Sequence, residues 1–333
     1  VSPGELARRC RDAAGLFRLP GRGLVTVEGA DRARWLDGML TNQVATLEPG
    51  RARSGCYALL LTRIGRIVTD LHVIERGDAF WLECEAAAVA PLLATLAKFV
   101  VADDVRLADR SPGWERLALE GPASPRVFEA AAGEAPGLAP DAADGFELAG
   151  TPVIAGAWGV SGEPALQLFV PAGTGDVVYA ALRRAGERHG LLEAGEDALE
   201  VLRIEAGTPR FGRELTESVL PAEAGLARAV STTKGCYTGQ EIVARMASRG
   251  EASHALAGLS LASEPLPAPG AAVTAGASRV GEVTSAALSA SAGAIALAYL
   301  RRAHAAPGTR LGVEGREARV TALPFVAPRA ATS

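Results

Sequence analysis

The sequence predicts an α+β protein that ends in an all-β region, and two observations carry this. Up to about residue 250, apolar runs of strand length alternate with segments whose apolar residues recur every three or four positions. After Gly250 the texture changes to short β-like runs separated by glycine and proline, which is the spacing of a small barrel or sandwich. A domain boundary near Ser253 divides the chain into regions 1–252 and 253–327.

Taken in order, Leu24–Gly29 reads as a strand. Asp31 is a candidate N-cap for a helix with Trp35, Leu36, Met39 and Leu40 on one face. Tyr57–Leu61 is strand-like, and Arg63–Arg66 reads as the turn after it. Ile67–Ile74 and Ala79–Glu85 form a predicted hairpin around the two-residue loop Gly77-Asp78. That register sets His72 opposite Glu83 and Asp70 opposite Glu85, with Leu71, Val73, Leu82 and Cys84 on the other face. Asp70 and His72 could serve acid–base chemistry. From spacing alone, the polar face is better read as the solvated side of a half-buried sheet. Val89, Leu92, Leu93, Leu96 and Phe99 follow helical spacing. Residues 130–145 are loose and read as an excursion or linker. Strands are expected at Pro152–Ala157 and Ala165–Val170, and helices at Asp176–His189 and from Asp197 to Gly207. The C-terminal runs are Leu256–Leu261, Ala272–Ala275, Val280–Ser285, Ala294–Tyr299, Leu311–Val313 and Ala318–Leu323.

With 333 residues, 48% hydrophobic and 22% charged, the chain can bury a sizeable core. A formal net charge of -4 argues against a nucleic-acid surface spread over the whole chain, while a local basic patch stays open. Val1–Glu5 lack the basic start and apolar run of a signal peptide, and no apolar stretch reaches membrane-span length. The four cysteines are far apart without a Cys-x-x-Cys pair, so neither a zinc site nor a disulfide framework is expected. The expectation is a cytoplasmic protein with no nucleic-acid or membrane partner and no resident metal. Gly21-Arg22-Gly23 lacks the third glycine of a dinucleotide fingerprint, and no phosphate-binding loop is present.

The densest cluster of signals is Lys234-Gly235-Cys236-Tyr237-Thr238-Gly239-Gln240-Glu241. Thr238-x-x-Glu241 has the capping-box pattern, with Thr238 as N-cap. Cys236 would then lie near the positive end of a helix dipole, with Lys234 as a second source of positive potential. Both favour thiolate over thiol. A lone cysteine is more often a buried, inert residue at a turn. Here the cap, the lysine and two glycines converge, which favours a functional site. Glu163 in the turn Gly162-Glu163 could hold a polar ligand, although most loop glutamates are simply solvated. Arg203 and Glu205 end a helix on different faces, and either could face a cleft.

The Lys234–Glu241 motif resembles the signature of YgfZ-type folate-binding proteins, relatives of the glycine-cleavage T-protein (aminomethyltransferase). Leu40–Val44, Gly65–Leu71, Leu202–Gly207, Pro221–Leu226, Val280–Ser285 and Leu323–Phe325 resemble further family segments in the family's order. The resemblance implies three modules around a central opening that holds tetrahydrofolate. Two are interleaved α+β units, and the third is a C-terminal β-barrel. It implies Cys236, Asp70 and Lys234 as catalytic residues, and Glu163, Arg203, Asp70, Tyr237 and Gln240 as folate contacts. It also implies an accessory role towards iron–sulfur proteins or their assembly factors. The alternative is a folate-dependent one-carbon (aminomethyl) transferase or demethylase. Thr69-Asp70 stands where the T-protein has paired aspartates. Gly162-Glu163-Pro164-Ala165 stands where it has Gly-Glu-Asp-Gly. T-proteins lack the Cys236 motif.

Overall fold

The computed structural model describes residues 1–249 and 252–329. Helix α1 (Pro3–Asp12) opens at Ser2, whose hydroxyl accepts the Glu5 N–H, with proline at the first helical position. It feeds strand β1 (Ala14–Arg18). The chain then leaves for a second sheet with β2 (Arg22–Glu28), α2 (Arg32–Met39), β3 (Gly55–Leu61), β4 (Ile67–Glu75), β5 (Ala79–Glu85), α3 (Ala86–Ala97) and β6 (Arg106–Asp109). The strand order of this sheet is β3-β4-β5-β2-β6.

The chain returns through β7 (Trp114–Glu120), α4 (Ser124–Ala132), β8 (Ala143–Leu148), β9 (Thr151–Gly156), β10 (Ala165–Pro171), α5 (Gly175–Gly186) and β11 (Leu191–Glu193). These strands enclose β1 in a sheet ordered β11-β1-β7-β10-β9-β8. The two α+β modules therefore share chain segments. Helix α6 (Glu196–Ala206) packs on α1, and α7 (Gln240–Arg249) precedes the barrel. Strands β12 (His254–Leu261), β13 (Ala272–Ala275), β14 (Ser278–Ser289), β15 (Gly293–Arg301), β16 (Arg310–Val313) and β17 (Arg316–Thr321) close on themselves. Closure removes exposed edges. No helix among the described residues is long and apolar enough to cross a membrane.

The expected α+β class with a C-terminal barrel is what the chain forms. The change of texture expected after Gly250 starts at residues 250–251, outside the described ones. Strand β14 runs longer than the expected Val280–Ser285 and absorbs a bulge between Val283 and Ser285. The region 130–145 is not a linker. It holds the end of α4, and β8 begins at Ala143. Asp31 occupies the N-cap position of α2, but its carboxylate accepts the Asp104 N–H instead of capping the helix.

The hairpin forms as expected, with His72 opposite Glu83 and Glu75 opposite Phe80. Leu71, Val73, Leu82 and Cys84 enter one core. The other face is not solvated. A second core joins Leu24 and Ile74 of this sheet to Ala143, Ile154, Trp158 and Phe169 of the other. Asp70, His72, Glu83 and Glu85 thus lie on the side covered by the second module, where apolar packing closes part of the space and leaves the remainder as a cavity.

Candidate functional site

A cavity of about 110 Å³, partly open to solvent, lies between the two sheets. Strands β2, β3 and β4 supply Arg22, Tyr57, Asp70 and His72. The other sheet contributes Glu120 and Gln167, and α6 contributes Glu200 and Arg203.

Asp70 is the one carboxylate of the β4 wall. Tyr57 Oη donates to its Oδ2 at 2.9 Å. Burial pushes its carboxyl above the ordinary range, opposed by the nearby Arg22 charge and the Tyr57 hydrogen bond. Arg22 is held by Glu83 at 2.5 Å and Glu85 at 2.9 Å. Glu83 is fully buried, and Arg116 reaches it at 3.2 Å. Burial alone would raise Glu83, but the two guanidinium groups outweigh it and hold the carboxyl down at about 2. The Arg116 guanidinium lies 3.5 Å from the Phe169 ring centroid.

Glu120 behaves in the opposite way. Burial pushes it up to about 6, although its oxygens accept the Ser161 hydroxyl at 2.5 Å and the N–H groups of Val160 and Ser161 at 3.0 and 3.2 Å. Gly159 lets this loop close over the carboxylate. A Cβ there would stand 2.6 Å from a Glu120 oxygen and 2.3 Å from Ala165 Cβ. Beside Glu120, Gln167 is buried, lines the cavity and makes no side-chain hydrogen bond among the described residues. His72 stacks on Trp158 with centroids 4.4 Å apart, and its Nδ1 lies 3.4 Å from Asp141. Arg228, half-exposed at the rim, covers the Tyr57 ring at 4.3 Å.

Of the residues singled out from sequence, the cavity gathers Asp70, His72 and Arg203. Arg203 is largely committed to protein partners. It donates to Glu200 at 2.5 and 2.7 Å, to Ser285 at 2.6 Å and to Glu214 at 3.1 Å. Glu163 lies outside the cavity. It is buried against Arg11 at 2.6 Å and accepts the Arg329 N–H at 2.8 Å.

The motif loop also lies outside the cavity. Cys236 is exposed. Lys234 does not serve it: its ammonium donates to the carbonyls of Asp37, Leu40 and Asn42 at 2.6, 2.9 and 2.7 Å. Tyr237 packs with Leu59, Leu61 and Ile67 in a core. The capping box does not form, because the Thr238 N–H goes to Gly38 and the helix opens one turn position later, at Gln240. The Glu241 carboxylate pairs with Arg245 instead.

Sequence reasoning missed Arg22, Tyr57, Glu120, Trp158 and Gln167 as cavity residues. Only Tyr57 carried a usable signal, since pairing of β3 with the predicted hairpin brings it beside His72.

The chain matches two family models: the GCVT N-terminal domain over residues 4–234 and the glycine cleavage T-protein C-terminal barrel domain over residues 255–328. It belongs to the glycine-cleavage T-protein family. Among relatives, the aminomethyltransferase of Streptomyces coelicolor is 34% identical over 326 residues, spanning 95% of this chain and 87% of that one. The aminomethyltransferase of Geobacillus kaustophilus is 34% identical over 278 residues, spanning 82% and 75%. In three dimensions the chain is similar to the glycine cleavage system aminomethyltransferase T from Bartonella henselae. The TM-score is 0.86 at 25% identity, over 99% of this chain and 91% of that one. That structural match takes in both sheets and the barrel, so the family accounts for the architecture around the Asp70 cavity.

Proposed function

We propose that the cavity holds a reduced folate and that the protein transfers a one-carbon group of the aminomethyl type at Asp70. The T-protein family uses tetrahydrofolate, and the relatives named above are aminomethyltransferases. The observation that carries the reading is Asp70 itself. It is a cavity carboxyl with a raised affinity for its proton, oriented by Tyr57. Such a group is suited to general acid–base work.

The wall fits the ligand class. Gln167 offers an unpaired amide, Glu120 an acceptor and Trp158 an aromatic face. Tetrahydrofolate supplies the secondary amine nitrogen that carries a one-carbon unit. Asp70 would hold or accept the proton that moves with the group, and Tyr57 would keep one carboxyl oxygen engaged. The missing first aspartate does not count against this. Thr69 is fully buried and lies outside the cavity, with its hydroxyl bonded to the Asp70 carbonyl. The test is calorimetry with tetrahydrofolate, followed by incubation with aminomethyl donors and detection of methylene-tetrahydrofolate together with the released ammonia. No heat of binding sinks the folate part. Binding without turnover across donors sinks the transfer.

A second reading keeps the YgfZ-type assignment: an accessory protein for iron–sulfur enzymes that works through Cys236. The exposed thiol on the Lys234–Glu241 motif favours it. Lys234 gives it no support, since its ammonium is engaged elsewhere. One cysteine cannot hold a four-thiolate cluster, so a partner would have to supply ligands. If Cys236→Ala restores iron–sulfur enzyme activity in a deletion strain as well as wild type, this reading is lost.

A further inference from the structure

We infer that Lys234 is a positioning residue for the cavity, acting through the turn Leu40–Asn42 on Tyr57 and Arg228. The Lys234 side chain is 2% exposed. Its ammonium has three protons and meets three carbonyl oxygens, those of Asp37, Leu40 and Asn42. The Asp37 carboxylate stands 3.3 Å away and accepts the N–H groups of Val44 and Ala45. The lysine therefore closes the loop between α2 and β3 around a buried charge.

That loop has a second set of bonds, to strand β3 and to the segment that carries Arg228. Asn42 Nδ2 donates to the carbonyls of Tyr57 and Arg228 at 2.9 and 3.2 Å. Thr41 Oγ1 donates to the Ala229 carbonyl at 2.6 Å and accepts the Leu59 N–H at 2.8 Å. Tyr57 in turn holds Asp70, and Arg228 lies on the Tyr57 ring. Lys234 thus braces the turn that locks two wall residues together, without itself touching the cavity. A methionine there would leave three carbonyl oxygens without their donor, and the turn would loosen. The inference rests on the folate reading for its consequence, but its first test needs no ligand.

The Asp carboxyl carbons are labelled with ¹³C and the Asp70 titration is followed by NMR. Tyr57→Phe marks the midpoint when the hydroxyl is lost. Lys234→Met and Asn42→Ala are expected to move the Asp70 midpoint upward towards that mark, because the hydroxyl favours the ionised carboxyl. The double variant should move it no further than the larger single change. Gln43→Ala, which removes only a bond to Thr233, should leave it in place. With tetrahydrofolate, each single variant and the double should bind about tenfold more weakly. If wild type does not bind, the folate reading falls and the titration still decides the role of the lysine. An unchanged midpoint in folded Lys234→Met overturns the inference, and so do shifts that add in the double variant. Should Lys234→Met not fold, an unchanged midpoint in Asn42→Ala overturns it alone.

Discussion

The cavity and the Cys236 loop hold similar kinds of residue: a nucleophile or acid, a nearby cation and glycines that shape the backbone. Their surroundings differ. In and around the cavity, buried charges face one another across two sheets, and their ionisation departs from the ordinary. On the wall Glu120 is raised to about 6 and burial shifts Asp70 upward, while behind it Glu83 is held down at about 2. In the loop, the one cation is used by main-chain oxygens and the thiol points to solvent. A reactive-looking motif is therefore not the same as a set of buried carboxyls, and burial between modules creates the second.

The largest expected effect falls on the cavity. Asp70→Asn should lower turnover by on the order of a thousandfold while the tetrahydrofolate Kd changes by less than about threefold. Steady-state kinetics and calorimetry together read this split. An equal loss in both would make Asp70 a binding residue. Next comes Glu83. Removing one partner of a buried ion pair costs about 3 kcal/mol, so Glu83→Gln should lose that amount in urea unfolding at neutral pH. Its folded carboxyl lies below the ordinary 4.5. This contribution is complete above 4.5 and disappears as pH falls towards about 2.

Glu120 should show the opposite slope. Its folded carboxyl binds the proton more tightly than the unfolded one, which titrates near 4.5. Stability therefore falls as pH rises from 4.5 to about 6, by roughly 2 kcal/mol relative to Glu120→Gln. Parallel stability curves for wild type and variant across that window would remove Glu120 from the set of perturbed groups and weaken the contrast with the loop.

Local pattern made some of this legible and not the rest. The two-residue loop Gly77-Asp78 was enough to pair His72 with Glu83, and period-two alternation to separate the apolar face from the polar one. The cover over the polar face was not legible, because it comes from Arg116, Trp158 and Phe169, which have no sequence proximity to the hairpin. Distance also hid the role of Lys234: its three acceptors lie 192 to 197 residues away in the chain. Read locally, its charge had only Cys236 to act on. Glu163 failed for the same reason, since Arg11 is 152 residues distant. Strand spacing alone made a small all-β unit legible and left barrel or sandwich open, because β12 pairs with the distant β15 and β17, and β13 with β16.

The smallest expected effect separates the two regions most cleanly. Cys10 and Cys84 are buried, and their thiols are pushed up to about 12 by burial, as is that of Cys56. A thiol so raised contributes almost no thiolate near pH 8. Cys236 is the exposed cysteine of the four. Native alkylation at pH 8 should accordingly label one thiol, at Cys236, before unfolding releases the others. Because the Lys234 ammonium faces carbonyls instead of sulfur, Lys234→Met should change that rate by less than about threefold, whereas a cation adjacent to a thiolate changes it by far more. A tenfold drop would restore the lysine–cysteine pair and make the loop, not the cavity, the better place to look for chemistry.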